Sequence, residues 1–213
     1  MRVIEGGGLA LAFMLVALVV ASAGCSSNAG PGTEVGPSHA VVSTPASVEP
    51  SASATYKPPS AGGPAENVPM PAMPEEAKVE SKEGLIAFAR HWYALANYGY
   101  QTGDVEPLRE ITGPDCYACK SYYKTVASGF REGWVSGAEI EILDVSSTYA
   151  LTDNGRYQVL IQIVQEPLDF YTAANGFIKT VPGNDLPSVQ MIEATFASSS
   201  WTAVDVVTIY HAG

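Results

Sequence analysis

The run SKEGLIAFARHWYALANYGYQTGD, residues 81–104, has the pattern of a long amphipathic helix with a start and a stop. Leu85, Phe88, Ala89, Trp92, Leu95 and Ala96 recur at intervals of three and four and share one face of a helix. Ser81 is placed as its N-cap, with a hydroxyl to accept one of the N–H groups that a first helical turn leaves without intrahelical partners. The next position on that face is Gly99, between Tyr98 and Tyr100, where the helix is expected to fray or bend; an interior glycine costs about 1 kcal/mol relative to alanine. Gly103 is the latest possible stop. Asp104 then caps a short second helix over Val105 to Ile111, with Pro107 in its first turn. Pro114-Asp115 opens a third, striped by Cys119, Tyr122, Tyr123, Val126 and Phe130 and leaving at Gly133.

After Trp134 the hydrophobic period shifts to two. Ile140 and Ile142 alternate with Glu139 and Glu141, and Asp153-Asn154-Gly155 is a hairpin turn leading into Tyr157, Val159, Ile161 and Ile163. Ala174-Asn175-Gly176 makes a second hairpin, between Asp169-Phe170-Tyr171 and Phe177-Ile178. Two last strands are expected around Ile192 to Phe196 and Trp201 to Tyr210. Three helices followed by four to six antiparallel strands predict an α+β domain over residues 81–213, with the helices packed on one face of a curved antiparallel sheet. Those 133 residues carry all three tryptophans and ten of the eleven tyrosines, enough for one ordinary core.

Upstream the composition changes. Residues 25–80 hold ten of the fifteen prolines and a single aromatic, Tyr56, so they read as a disordered Pro/Ser/Ala-rich tether. As a flexible coil it spans roughly 45 Å. Ser43, Thr44, Ser51 and Ser53 are candidate glycosylation positions, although a bare spacer is the simpler reading. Before it lies LALAFMLVALVVASAGC, residues 9–25, too short for a comfortable span and followed by polar sequence, as in a secretory signal. Ser22-Ala23-Gly24-Cys25 resembles a bacterial lipobox. That resemblance implies removal of residues 1–24, acylation of Cys25 and a protein lipid-anchored on the extracytoplasmic face of the cell membrane. The alternative is an ordinary cleaved signal using Ala21-Ser22-Ala23. Each buried methylene of an acyl chain contributes about 0.8 kcal/mol, so two or three chains hold such a protein firmly.

With 46% apolar and 15% charged residues and a formal net charge of -11, the chain is acidic. Nucleic acid is excluded as a partner, because phosphates require a basic surface. Electrostatic docking on anionic headgroups is excluded for the same reason, which leaves the covalent anchor as the membrane contact.

Ala87-Phe88-Ala89-Arg90-His91-Trp92-Tyr93, Asn97-Tyr98-Gly99-Tyr100, Thr102-Gly103-Asp104, Leu108, Gly113-Pro114-Asp115-Cys116 and Cys119 together resemble a family of actinobacterial secreted lipoproteins known as domain of unknown function 6318. The similarity continues through Gly155-Arg156-Tyr157-Gln158-Val159 and covers most of residues 81–210. More distantly, the aromatic first helix, the Gly-Asp turn and the short second helix look like the cystatin-like, nuclear transport factor two-like (SnoaL-like) cone. That superfamily spans enzymes, binding domains and structural modules, so it selects no function.

Cys116-Tyr117-Ala118-Cys119 is the sharpest local signal. Outside the cytoplasm a structural disulfide is the preferred reading. A redox pair is the alternative, since a helix start lowers a thiol pKa, but a helix rather than a strand precedes the motif. Zinc needs two more ligands, and beyond His39 in the tether only His91 and His211 are available; no metal or other cofactor is expected. His91, Asp104 and Glu110 are a conceivable acid–base set, yet Asp104 is already explained as a cap. Glu139, Glu141 and Asp144 suggest a cation site but read better as the wet side of a strand. Asp205 is the one acid in an apolar strand and is expected to face solvent on an edge. Trp92, Leu95, Tyr157, Val159, Ile161 and Ile163 are the candidate walls of an apolar pocket. The function expected is non-catalytic: binding a small apolar ligand or an envelope protein. A cone-fold enzyme using His91 or Asp205 and a thiol–disulfide protein using Cys116 and Cys119 are the alternatives.

Overall fold

The computed structural model describes residues 54–174 and 176–211. Cys25, the apolar run before it and the glycosylation candidates lie outside the described residues.

Helix α1 spans Lys82–Thr102, and Ser81 Oγ accepts the Gly84 N–H at 2.9 Å as its cap. It ends where Gly103 turns left-handed at φ 80° and donates its N–H to Gly99 O at 2.9 Å. The helix runs unbroken through Gly99, contrary to the expected bend. Helix α2 is Glu106–Glu110 and α3 is Tyr117–Gly129, one turn shorter at its end than the expected exit at Gly133. Seven strands follow: β1 Gly133–Gly137, β2 Ile140–Ser146, β3 Tyr157–Gln165, β4 Leu168–Thr172, β5 Gly176–Val181, β6 Asn184–Ala197 and β7 Ser200–His211.

The fold is mixed α+β, with all strand pairs antiparallel. The single curved sheet expected from the sequence is, however, two sheets, ordered β1-β4-β5 and β2-β3-β6-β7. The strand that makes the difference is β1. Its five residues begin and end in glycine and show too little alternation to be read as a strand. Between β1 and β2, Gly137 and Ala138 adopt positive φ (74° and 68°), and Ala138 N donates to Pro167 O at 3.0 Å. This kink lets consecutive strands enter different sheets.

The larger sheet turns Val159, Ile161 and Ile163 of β3, Ile192 and Ala194 of β6, and Trp201, Ala203 and Val206 of β7 toward Leu85, Phe88, Trp92 and Leu95 of α1. Leu85, Phe88, Val159, Ile161 and Ile192 are completely buried. Each such side chain contributes roughly 1.5–3 kcal/mol by leaving water, so this cluster dominates the stability. A second cluster joins Tyr100 and Val126 of α1 and α3 to Val135, Leu168 and Phe170 of the smaller sheet.

Residues 54–80, composed like a tether, are packed in the structure. Lys57 and Glu66 exchange backbone hydrogen bonds at 3.0 and 2.9 Å and close a small hairpin. Tyr56 Oη donates to Gln101 Oε1 at 2.7 Å, and Trp134 Nε1 donates to Ser60 O at 2.8 Å. A single 3-10 turn at Glu75–Lys78 buries Ala77, and Trp201 Nε1 donates to Val79 O at 3.1 Å. The composition misleads for a physical reason. An extended, Pro-rich strap needs few apolar side chains of its own when the domain's indoles supply donors to its carbonyls and a surface to lie on.

Candidate functional site

The six residues expected to wall a pocket form solid core instead. Trp92, Leu95, Val159, Ile161 and Ile163 are buried together. Tyr157 is half-buried over them, stacked on Tyr149 at 4.6 Å and edge-on to Trp201 at 5.4 Å. Trp92 Nε1 donates to Thr112 Oγ1 at 3.0 Å, which satisfies its only polar atom. None of these six lines any of four cavities of about 140 to 330 Å³ found among the described residues. The expected pocket is filled because Tyr93, Phe88 and Trp201 bring three more large rings into the same volume.

The acid–base candidates do not meet. His91 is buried on α1, and burial holds its imidazole below the ordinary value of 6.5, so it is neutral at pH 7. Asp104 is exposed and its Oδ1 accepts the Glu106 N–H at 3.0 Å, tying the start of α2. Glu110 is exposed. Asp205 sits on β7, an edge strand, cross-strand from Glu193 and out of phase with buried Val206; its Oδ1 accepts the Val206 N–H at 2.9 Å. Glu193 takes Arg156 Nη1 at 2.7 Å and Gln158 Nε2 at 2.9 Å, and these two donors hold its carboxyl below the usual glutamate value. Asp205 therefore belongs to a polar row on the sheet face opposite the core, while His91 belongs to the helix on the core side. Among the described residues no three His, Cys, Asp or Glu side chains are grouped as metal ligands. Glu139 instead faces Glu166 and Tyr56 across a cleft of about 140 Å³.

Cys116 and Cys119 form a disulfide, with both residues buried. Cys116 is also the N-cap of α3, its Sγ accepting the Cys119 N–H at 3.3 Å. The pair follows helix α2 and a loop rather than a strand. Its placement is that of a staple across the first turn of α3.

One feature escaped the sequence. Trp134 of β1 stacks on Tyr171 of β4, with ring centroids 5.5 Å apart, and Tyr171 meets Phe177 of β5 edge-on at 5.7 Å. Their neighbours Val135, Leu168 and Phe170 turn inward to the second core cluster. The three rings thus form a row across the outer face of the smaller sheet, with the strap's Ser60 against its Trp134 end and Phe177 at its open end. Trp134 and Tyr171 are half-buried, Phe177 is 55% exposed, and every described residue of edge strand β5 is exposed. Only the registers Trp134↔Tyr171 and Tyr171↔Phe177 bring them together, and those depend on recognising β1 as a strand.

The sequence model of DUF6318, described as a family of unknown function, matches residues 54–207. The match starts with the packed strap rather than with α1, in keeping with the contacts above. No curated protein matches the chain. Among solved structures, the intermembrane space region of the chloroplast protein ARC6 is similar at 12% identity and a TM-score of 0.42, covering 62% of this chain and 98% of that one. No described helix is long and apolar enough to cross a membrane.

Proposed function

Because the chain belongs to DUF6318, a family of unknown function, its role has to be read from its own surfaces, and we propose that it is a non-catalytic interaction domain displayed from a lipid anchor at Cys25. The observation that carries this reading is the contrast between a filled interior and the aromatic row Trp134–Tyr171–Phe177 on the outside. Acid–base chemistry needs titratable groups converging on a cavity, and His91 and Asp205 lie on opposite sides of the larger sheet. Rigid aromatic area beside a strand edge is one way to recognise an envelope protein, and β5 offers it with Phe177 and Ile178. Extracytoplasmic placement is part of the same proposal. It draws support from the lipobox-like Ser22-Ala23-Gly24-Cys25 and from a disulfide of the kind that persists more readily in an oxidising compartment than in a reducing one. The cone likeness of the fold stays a proposal too, supported by one long helix lying across a four-stranded antiparallel sheet.

The test is a photo-crosslinking residue placed at Phe177 in the producing cell. A discrete crosslinked species that disappears with Tyr171→Ser supports the reading. Labelling no stronger than from a probe at Lys82, on the N-terminus of α1, refutes it.

A further inference from the structure

The first part of the strap is a loose occupant of the surface it covers. Residues 54–68 are held there by side-chain hydrogen bonds. Trp134 Nε1 donates to Ser60 O at 2.8 Å, Ser136 Oγ donates to Pro59 O at 3.3 Å, and Tyr56 Oη donates to Gln101 Oε1 at 2.7 Å. No side chain in this stretch is buried, since its one buried residue, Gly63, has none. Two cavities lined by Tyr56 remain against the domain, one of about 140 Å³ with Pro58 and Pro59 in its wall and one of about 320 Å³ with Val68 and Pro69. The second part of the strap is different, with Ala77 buried and Val79 O held by Trp201 Nε1. A segment fixed by polar contacts alone opens before the core does.

The surface underneath suits one kind of chain. Trp134 and Ser136, both on the edge strand β1, offer an indole N–H and a hydroxyl to two consecutive carbonyls. Pro58 and Pro59 bring no N–H that would lie unpaired over the groove, and Pro58, preceding a proline, is kept extended. Aromatic grooves take polyproline segments in this way, because such segments are extended beforehand and lose little entropy on docking. Charge narrows the choice further. Glu139 and Glu166 share the smaller cavity with the two prolines, and neither carboxylate has a cation partner among the described residues. Lys57, next to Pro58, is paired instead with Glu66 of the strap at 2.6 Å.

We propose that this groove, made by Trp134, Ser136, Glu139 and Glu166, binds a basic, proline-rich segment of another protein, and that residues 54–68 are its resident competitor. The inference names the partner chemistry of the interaction surface proposed above and rests on that reading, because Trp134 is also the strap end of the aromatic row. An arginine or lysine beside the prolines fills space that the strap leaves empty and meets two unpaired carboxylates. The strap has the advantage of covalent attachment, so it sets the affinity that an incoming segment has to exceed.

The experiment is fluorescence anisotropy with two labelled peptides, YKPPSAGGPAENV (residues 56–68) and the same peptide carrying Pro58→Arg, each titrated with the full chain. Saturable binding is expected, roughly tenfold tighter for the Pro58→Arg peptide and roughly tenfold weaker in Trp134→Phe, which keeps a ring but removes the indole donor. Ser136→Ala should weaken binding in the same direction, and it keeps the test readable if Trp134→Phe lowers the unfolding midpoint. Glu139→Gln combined with Glu166→Gln should erase the preference for arginine. Tyr56→Ala in the chain loosens the resident strap and should tighten both peptides. Absence of saturable binding to the Tyr56→Ala chain overturns the proposal, as does binding indifferent to both Trp134→Phe and Ser136→Ala. A stable dimer with exchanged straps also overturns it, by assigning the groove to a second copy. A crosslink from Phe177 with no peptide binding sinks this inference alone, whereas peptide binding with no crosslink from Phe177 supports the groove and removes the outer row.

Discussion

Tyr122 of α3 rests its hydroxyl on Gly99 of α1, donating to Ala96 O at 2.7 Å where any Cβ on Gly99 would overlap it. The glycine is therefore a docking notch rather than a weak point in the helix. Its propensity cost of about 1 kcal/mol is offset by the close helix–helix approach it permits. We predict that Gly99→Ala destabilises the domain by about 1–3 kcal/mol, despite alanine's better helix propensity. Combining it with Tyr122→Phe, which removes the overlapping oxygen, should cost less than the sum of the two single changes. A double-mutant cycle of urea unfolding measures this; strict additivity would contradict the notch.

The disulfide should behave as a buried staple. Alkylating reagents are expected to label neither Cys116 nor Cys119 in the unreduced protein, folded or unfolded, since the bonded sulfurs carry no thiolate to react. Replacing both by alanine should lower stability by about 2 kcal/mol, the small value expected for so short a loop. Rapid exchange with a dithiol at mild potential would instead assign the pair to redox chemistry.

Acid sensitivity should track two groups. Glu193 is held below its ordinary 4.5 by Gln158 and Arg156, so the unfolded chain takes up that proton first. The stabilisation is complete above pH 4.5 and is lost as the pH falls through the folded value. His91, lowered from 6.5 by burial, has the same sign and begins to weaken the fold below pH 6.5. Denaturation midpoints of Glu193→Gln and His91→Asn against wild type, followed from neutral pH downward, should therefore show smaller acid losses in each variant over its own window.

The β6–β7 turn carries stored strain. Ser198 and Ser199 both adopt positive φ, 51° and 60°, in a two-residue loop between Ala197 and Ser200. Such a turn favours Asn-Gly, and a non-glycine residue in the left-handed region costs roughly 1–2 kcal/mol. Ser199→Gly should raise the thermal midpoint. A lowered midpoint would show that the serine makes a compensating interaction.

For the anchor, Cys25→Ala is expected to move the protein from the membrane fraction to soluble or unprocessed forms. An intact mass of the native protein with unmodified Cys25 would falsify the lipoprotein reading.

The helices and most strands were legible because their signals are local. Ser81 and Gly103 bound α1 by capping and by a left-handed φ, each set within a few residues. Val159, Ile161 and Ile163 alternate because β3 has one wet side, and the turn signal at Asp153-Asn154-Gly155 precedes β3. The preferred reading of Cys116 and Cys119 as a disulfide rests on a spacing of three residues, and the structure pairs them.

Periodicity and capping depend on neighbours along the chain, so the order and kind of the elements, and which faces are apolar, could be read from residues alone. Tertiary structure alone decided the split into two sheets, the role of Gly99, the packing of residues 54–80 and the fate of the expected pocket. Each of these depends on a partner remote in sequence: Gly133 on Thr172, Gly99 on Tyr122, Ser60 on Trp134, and Val159 on the rings of Phe88 and Trp201 that share its core. An apolar face reads identically along the chain whether it lines an empty cavity or close-packed core, because only the side chains arriving from elsewhere fill or vacate the space in front of it.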